Sequence, residues 1–169
     1  MKQKILYIDM DMVLCNFDKH ILKLDPSIET MDTNAPFLKL RSKKIVNAII
    51  KNPRLFKDLE PIDGSIDAVH RLFRHFDVLF LSTPMWEVPE SFMDKRIWIE
   101  RYFGKLATNR LILTQRKGLN IGEYLVDDRT WNGAGEFLGK HLHFGTEKFP
   151  TWLETEDFLM KNKDYKIVK

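Results

Sequence analysis

Short apolar runs alternate along the chain with stretches whose apolar positions fall at helical spacing. Ile5 to Ile8 is apolar on consecutive positions, with no polar face, and predicts a strand buried on both sides. Ile21, Leu22 and Leu24 predict a short helix that ends before Asp25-Pro26, and Glu29 to Pro36 reads as a polar loop. Ser42 is placed to cap a helix carrying Ile45, Ala48 and Ile49, stopped by Asn52-Pro53. Gly64-Ser65 opens a helix with Ile66, Val69, Leu72, Phe73 and Phe76 on one face. Asp77 to Leu81 is a second buried-type strand, running into Ser82-Thr83-Pro84. Ser91-Phe-Met-Asp94 reads as a capping box for a helix through Ile97, Trp98, Arg101 and Tyr102 that stops at Gly104. Arg110 to Thr114, Tyr124 to Val126 and His141 to Phe144 supply three further strands. Thr151 to Asn162, with Trp152, Leu153, Phe158 and Leu159, predicts a closing helix.

Strands that alternate with helices make a parallel sheet. The pattern therefore predicts an α/β fold, a Rossmann-like three-layer sandwich with a five-stranded parallel sheet and a small helical insertion after strand one. Residues 1–15 and 62–169 would form the sheet-bearing core and residues 16–61 the insertion. Right-handed crossovers bring every strand's C-terminal end to one edge, where ligands of such sheets bind. That edge would collect Asp9 and Asp11, Ser82 and Thr83, Thr114 and Lys117, and Asp127 and Asp128.

A D-x-D pair alone is compatible with a solvated loop and ordinary ion pairs. Four carboxylates at one sheet edge repel one another, and a divalent cation is the physical remedy. An all-oxygen donor set suits a hard ion, Mg²⁺ above all. Lys117, the metal and the Ser82 hydroxyl together suit a phosphate group. One carboxylate could then attack phosphorus, while a second protonates the leaving oxygen and later activates water. Asp9, at the strand end, is the better placed nucleophile, and Asp11, in the turn, is nearer the leaving group. The chain has no GxxxxGK[ST], no GxGxxG and no Cys/His cluster of zinc spacing.

Composition narrows the rest. With 169 residues, 44% hydrophobic and 30% charged, the chain is sized for one packed domain. A net charge of +3 is too small to argue for a nucleic-acid groove and is compatible with a small phosphorylated substrate. Cys15 is the single cysteine and, after Val13-Leu14, reads as a buried structural thiol. No apolar run reaches membrane-spanning length and no basic leader precedes the first strand, so the expectation is a soluble cytoplasmic protein without membrane contact. His141 and His143 alternate in an edge strand and read as sheet packing. Lys39 to Lys44 reads as a solvated helix start. Trp86 and Trp131 follow segments of the predicted site edge and read as core or rim.

Asp9-Met-Asp-Met-Val-Leu14, Ser82, Lys117 and Asp127-Asp128 resemble the four motifs of the haloacid dehalogenase superfamily of phosphotransferases. Asp9 to Phe17, Leu59 to Gly64, Leu81 to Pro84, Ile112 to Lys117 and Leu125 to Arg129 together resemble the 5'(3')-deoxyribonucleotidases. The resemblance implies Mg²⁺-dependent hydrolysis of (deoxy)ribonucleoside monophosphates through an aspartyl phosphate. It implies Asp9 as nucleophile and metal ligand, Asp11 as general acid/base with its backbone carbonyl on the metal, and Asp128 as a metal ligand supported by Asp127. Ser82 and Lys117 would hold the substrate phosphate, Thr83 would bind substrate beside them, and Phe17 would line the nucleobase pocket. Residues 16–61 would be the small helical cap that closes over the substrate on a catalytic core of residues 1–15 and 62–169. Met12 and Asn16 depart from the residues frequent at those positions and bear on substrate identity. Three rivals stay open: a phosphatase of nucleic-acid 3'-phosphate ends, a sugar-phosphate phosphatase, and a non-catalytic phospholigand-binding protein of the same fold. The modest charge disfavours a polynucleotide, and a homodimer through the cap or the closing helix is left open.

Overall fold

A computed structural model of the chain describes residues 3–28 and 35–164. Five parallel strands form one sheet: β1 (Lys4–Ile8), β2 (Phe76–Ser82), β3 (Leu111–Leu113), β4 (Tyr124–Asp127) and β5 (Lys140–His143), in the spatial order β3-β2-β1-β4-β5. The chain builds outward from β1 in one direction and then returns to start again on its other side, so the order reverses between β1 and β4. The α-helices are α1 (Phe17–Leu24), α2 (Ala35–Lys51), α3 (Ser65–Leu72), α4 (Glu90–Phe103) and α5 (Trp152–Lys161).

The period-two alternation of the strands sorts the core. Leu6 and Ile8 align with Val78 and Phe80 on one side and with Tyr124 and Val126 on the other. These side chains share one buried cluster with residues from all five helices, including Phe17, Ile49, Val69, Trp98 and Trp152. Tyr7, Leu81 and Leu125 point the opposite way and pack on Ala134 and Phe137, so that face is covered by a short 3₁₀ turn and its flanks. The sheet is thus buried on both faces, as the unbroken apolar runs predict.

Helix boundaries depart from the sequence reading in three places. The Glu29 to Pro36 loop lies outside the described residues over 29–34, and Ala35 and Pro36 already belong to α2. Proline is tolerated in a helix's first turn, where its missing N–H has no partner to lose. Ser42 therefore lies inside α2 and caps nothing. Ser91 does not cap α4 either: the helix starts at Glu90, and the buried Ser91 Oγ hydrogen-bonds the Met85 backbone instead. Finally, α3 stops at Leu72, and Phe76 opens β2 rather than extending the helical face. The other ends hold: Gly104 ends α4 with a φ of 53°, and Thr151 caps α5 by accepting from the Leu153 amide. Among the described residues, no helix is long and apolar enough to cross a membrane.

Candidate active site

The loop after β1 is wound tightly around one carbonyl. Met10 O accepts the amides of Val13, Leu14 and Cys15, and the buried Cys15 thiol donates to it as well. Two anchors fix this loop from outside: Trp152 Nε1 donates to Val13 O at 2.7 Å and Ser65 Oγ to Leu14 O at 3.0 Å. Asp9 is thereby held at the strand end, with its amide on Val126 O of β4. Cys15 is wholly buried, and burial followed by the charge of Asp11 pushes its thiol well above the ordinary range, as a structural role requires.

Lys117 comes from the far side of the sheet. It follows β3, yet its ammonium lies 2.8 Å from Asp9 Oδ1 and 2.5 Å from Asp127 Oδ2, beside β1 and β4. The crossing is made by two loops in close approach. A Cβ on Gly118 would stand 2.8 Å from Gly133 O, and one on Gly133, whose φ is +80°, would stand 2.8 Å from Gly118 N. Only glycine lets the backbones meet there and brings Lys117 to the acids. Burial opposes its charge, but Asp9 and Asp127 outweigh that and hold its pKa above the usual lysine value.

Asp9, Asp127 and Asp128 each present a carboxylate oxygen, all within 4.8 Å of one another. Asp128 Oδ1 is buried without a hydrogen-bond partner among the described residues, and the buried Asp9 Oδ1 meets the Lys117 ammonium at 2.8 Å. Burial, and then the charge of Asp9, push Asp127 up to about 7 against the pull of Lys117. Burial pushes Asp128 up to about 6, against the pull of Arg129, whose Nε lies 3.2 Å from Asp128 Oδ2. Crowded, desolvated carboxylates with an orphaned oxygen fit a hard divalent cation.

Asp11 stands apart from that trio. Its Oδ2 takes the ammonium of Lys95, on α4, at 2.7 Å. Lys95 is almost wholly buried, donates also to Ser82 Oγ at 3.1 Å, and lies 5.1 Å over the ring of Phe56. Sequence reasoning missed Lys95, although a signal was present. Ser91, Asp94, Lys95, Trp98 and Ile99 all fall on the buried stripe of α4, so the stripe carries two charges that need partners.

These acids open into a cleft of about 730 Å³. Asp9, Asp11, Lys117, Asp127 and Asp128 line it, as do Phe17 and Thr83. Phe17 stacks on Phe56, with ring centroids 6.0 Å apart. The Thr83 hydroxyl donates to Thr114 O at 2.9 Å, tying the ends of β2 and β3 together. Ser82 lies fully buried behind the wall, accepting from Lys95, which leaves its own O–H to donate. Arg41 and Ser42 also face the cleft, so the basic run in α2 is more than a solvated surface. Trp86 and Trp131 stand exposed at the mouth, with the Arg129 guanidinium 5.2 Å over the Trp131 ring.

Three comparisons bear on this site. The family described as "5' nucleotidase, deoxy (Pyrimidine), cytosolic type C protein" matches residues 3–164. A protein of Vibrio phage KVP40 named "Putative 5'(3')-deoxyribonucleotidase" is 44% identical over 155 residues, covering 92% of this chain and 84% of that protein. A protein of the same name from Bordetella bronchiseptica is 32% identical over 155 residues, covering 82% of this chain and 81% of its own length. The fold is similar to that of the "putative HAD-hydrolase YfnB" of Bacillus subtilis, solved bound to magnesium. That likeness has a TM-score of 0.53 at 10% identity, over 89% of this chain and 90% of that one.

Proposed function

The chain belongs to the cytosolic type C 5'-nucleotidase family, phosphoric monoester hydrolases of the haloacid-dehalogenase-like fold, and from that premise we propose that it hydrolyses (deoxy)ribonucleoside monophosphates in the cytoplasm, with Mg²⁺ and through a phosphoaspartate on Asp9. The observation that carries this reading is the convergence of Asp9, Asp127 and Asp128 within 4.8 Å, with the buried Asp128 Oδ1 unpartnered among the described residues.

Asp9 is fixed by the sheet and kept beside the Lys117 ammonium, so it meets phosphorus as a carboxylate. Its oxygen bonds to phosphorus as the ester P–O bond breaks, and Asp11 gives a proton to the leaving oxygen. Asp11 then takes a proton from water, whose oxygen attacks the phosphoaspartate and frees Asp9 and inorganic phosphate. Lys117 meets the phosphoryl oxygens from the cleft wall, while Ser82, buried behind that wall, steadies Lys95, and Thr83 shapes the wall beside them. Asp9, Asp127 and Asp128, with the backbone carbonyl of Asp11, would hold Mg²⁺, which when bound neutralises phosphoryl charge and relieves the repulsion among the acids. Residues 16–61 act as a cap on the core of 1–15 and 62–169, and Phe17, Ile45, Ile49 and Phe56 of this segment line the cleft together with the acids. A capped cleft and a net charge of +3 favour a mononucleotide over a polynucleotide end.

The test is phosphate release from nucleoside 5'- and 3'-monophosphates, sugar phosphates and a 3'-phosphorylated oligonucleotide. Each is assayed with Mg²⁺ and with EDTA, with Asp9→Asn as the blank. Metal-dependent turnover confined to the mononucleotides is expected. Turnover of the other esters alone would replace the substrate, and binding with no turnover would make the chain a phospholigand-binding protein.

A further inference from the structure

β5 does more than close the edge of the sheet. The ladder between β4 and β5 reaches its end at Asp127, whose carbonyl accepts the Phe144 amide at 2.9 Å. Asp128 is the first residue beyond β4. Its carbonyl meets His143 Nε2 at 2.9 Å, and the Asp127 carbonyl also meets His141 Nε2, at 3.1 Å. A carbonyl oxygen only accepts, so each ring carries its proton on Nε2 and donates it. The two rings stack, with centroids 5.4 Å apart and planes 22° apart, and Thr146 Oγ1 donates to His143 O at 2.6 Å.

This arrangement meets a specific mechanical need. Three carboxylates within 4.8 Å of one another push the loop of Asp127 and Asp128 away from Asp9. Asp127 is retained by the ladder. Asp128 stands past it with one buried carboxylate oxygen unpartnered, and the hydrogen bond to its carbonyl comes from a side chain. Leu142, between the two histidines, points into the main core, so His141 and His143 face the other side of the sheet. An apolar residue would pack there equally well, and what a histidine adds is a donor at the height of the carbonyl.

We propose that His143, backed by His141, is a positioning residue that holds the Asp127-Asp128 backbone in place for a divalent cation. The proposal rests on the reading that these acids bind metal. Loss of an outer partner of a metal ligand commonly weakens the metal about 10- to 100-fold, and His143 acts in that capacity through Asp128.

The experiment measures Mn²⁺ binding by the electron paramagnetic resonance signal of free Mn²⁺, without substrate, on the wild-type chain, H143F, H143Q and H141F. Thermal melts of the same proteins are recorded in EDTA. H143F should bind Mn²⁺ at least about tenfold more weakly while melting within about 3 °C of wild type. H143Q should recover part of the affinity, since its amide N–H can donate. H141F should lose less than H143F, because Asp127 O keeps the Phe144 amide. Wild-type affinity in H143F, or a lowered melting point with unchanged affinity in H143F and H143Q, would overturn the positioning role. A wild-type protein that binds no Mn²⁺ would overturn the metal reading and this proposal with it.

Discussion

Lys95 Nζ lies 2.7 Å from Asp11 Oδ2, and this buried contact joins a mid-helix lysine to the carboxylate assigned to acid-base work. The same ammonium reaches Ser82 Oγ and lies over Phe56, so one side chain links the end of β2, the turn after β1 and the segment between α2 and α3. Removing it changes all three at once.

Lys95→Met should therefore lower turnover of a nucleoside monophosphate by about 10²- to 10³-fold, the usual scale for a displaced acid-base group. Steady-state kinetics should place most of the loss in kcat, with a smaller rise in KM from the loosened Phe56, since Lys117 and the acid trio are untouched. A variant with wild-type kcat would show that Asp11 does not depend on Lys95 for its orientation.

The pKa directions of Asp127 and Asp128 give a pH dependence with a definite sign. Both are raised above the ordinary value, to about 7 and about 6, so the folded state favours their protonated forms. Their contribution to stability is present at low pH and is lost as pH rises through that range. In EDTA the melting temperature should fall on the order of 5 °C between pH 5 and pH 8. Added Mg²⁺ should raise it more at pH 8 than at pH 5. Glu60 does not mask this window: hydrogen bonds from Lys19 and Lys23 hold it down at about 2, so its contribution builds between there and the ordinary glutamate value and is nearly complete by about pH 5. A melting point in EDTA that rises steadily to pH 8 would contradict the crowding of the acids.

The acids were legible in the sequence because each follows a buried apolar run, and carboxylates in that place need a reason. The central strands β1 and β4 were legible for the same cause, since their runs are short and almost wholly apolar, whereas β5 showed itself by alternation alone. Lys95 was not legible as part of the site, because its partner lies 84 positions away and only the packing of α4 brings them together. The start of α2 was missed because Pro36 reads as a breaker, although a proline in the first turn costs a helix nothing. His141 and His143 were read as packing because alternation reports which face a side chain takes. It does not report that a ring nitrogen on that face meets a carbonyl.

Met12 holds a φ of +61°, a conformation that costs a non-glycine residue roughly 1 kcal/mol or more, and its side chain lines the cleft beside Asp11. Its Sδ accepts the Asp18 amide at 3.4 Å, which ties the turn to α1. Met12→Gly relieves the backbone but removes that wall and that tie. Thermal stability should change little, within about 1 kcal/mol, because the relief offsets lost packing. KM for a nucleoside monophosphate should rise several-fold. An unchanged KM would mean that the side chain serves only the loop.

Asp94 is wholly buried one position before Lys95, and its Oδ1 is held by Arg54 at 2.7 Å while Oδ2 is unpartnered among the described residues. Arg54 belongs to the segment that leads from α2 back to the core, so the pair pins that segment to α4. Arg54→Ala leaves the buried Asp94 carboxylate without its half-exposed cation, and an uncompensated buried charge is costly. The melting temperature should drop by about 5 °C or more, and Asp94→Asn in the same chain should recover much of the loss by removing the stranded charge. Phe56 follows Arg54 by two positions and packs against both Phe17 and Lys95, so the single variant should also raise KM for the nucleotide, while the double variant restores stability more fully than KM. If Arg54→Ala melts like wild type, water reaches Asp94 and the pair does not fix the segment. Equal recovery of stability and KM in the double variant would mean instead that the kinetic effect follows from the stranded charge alone.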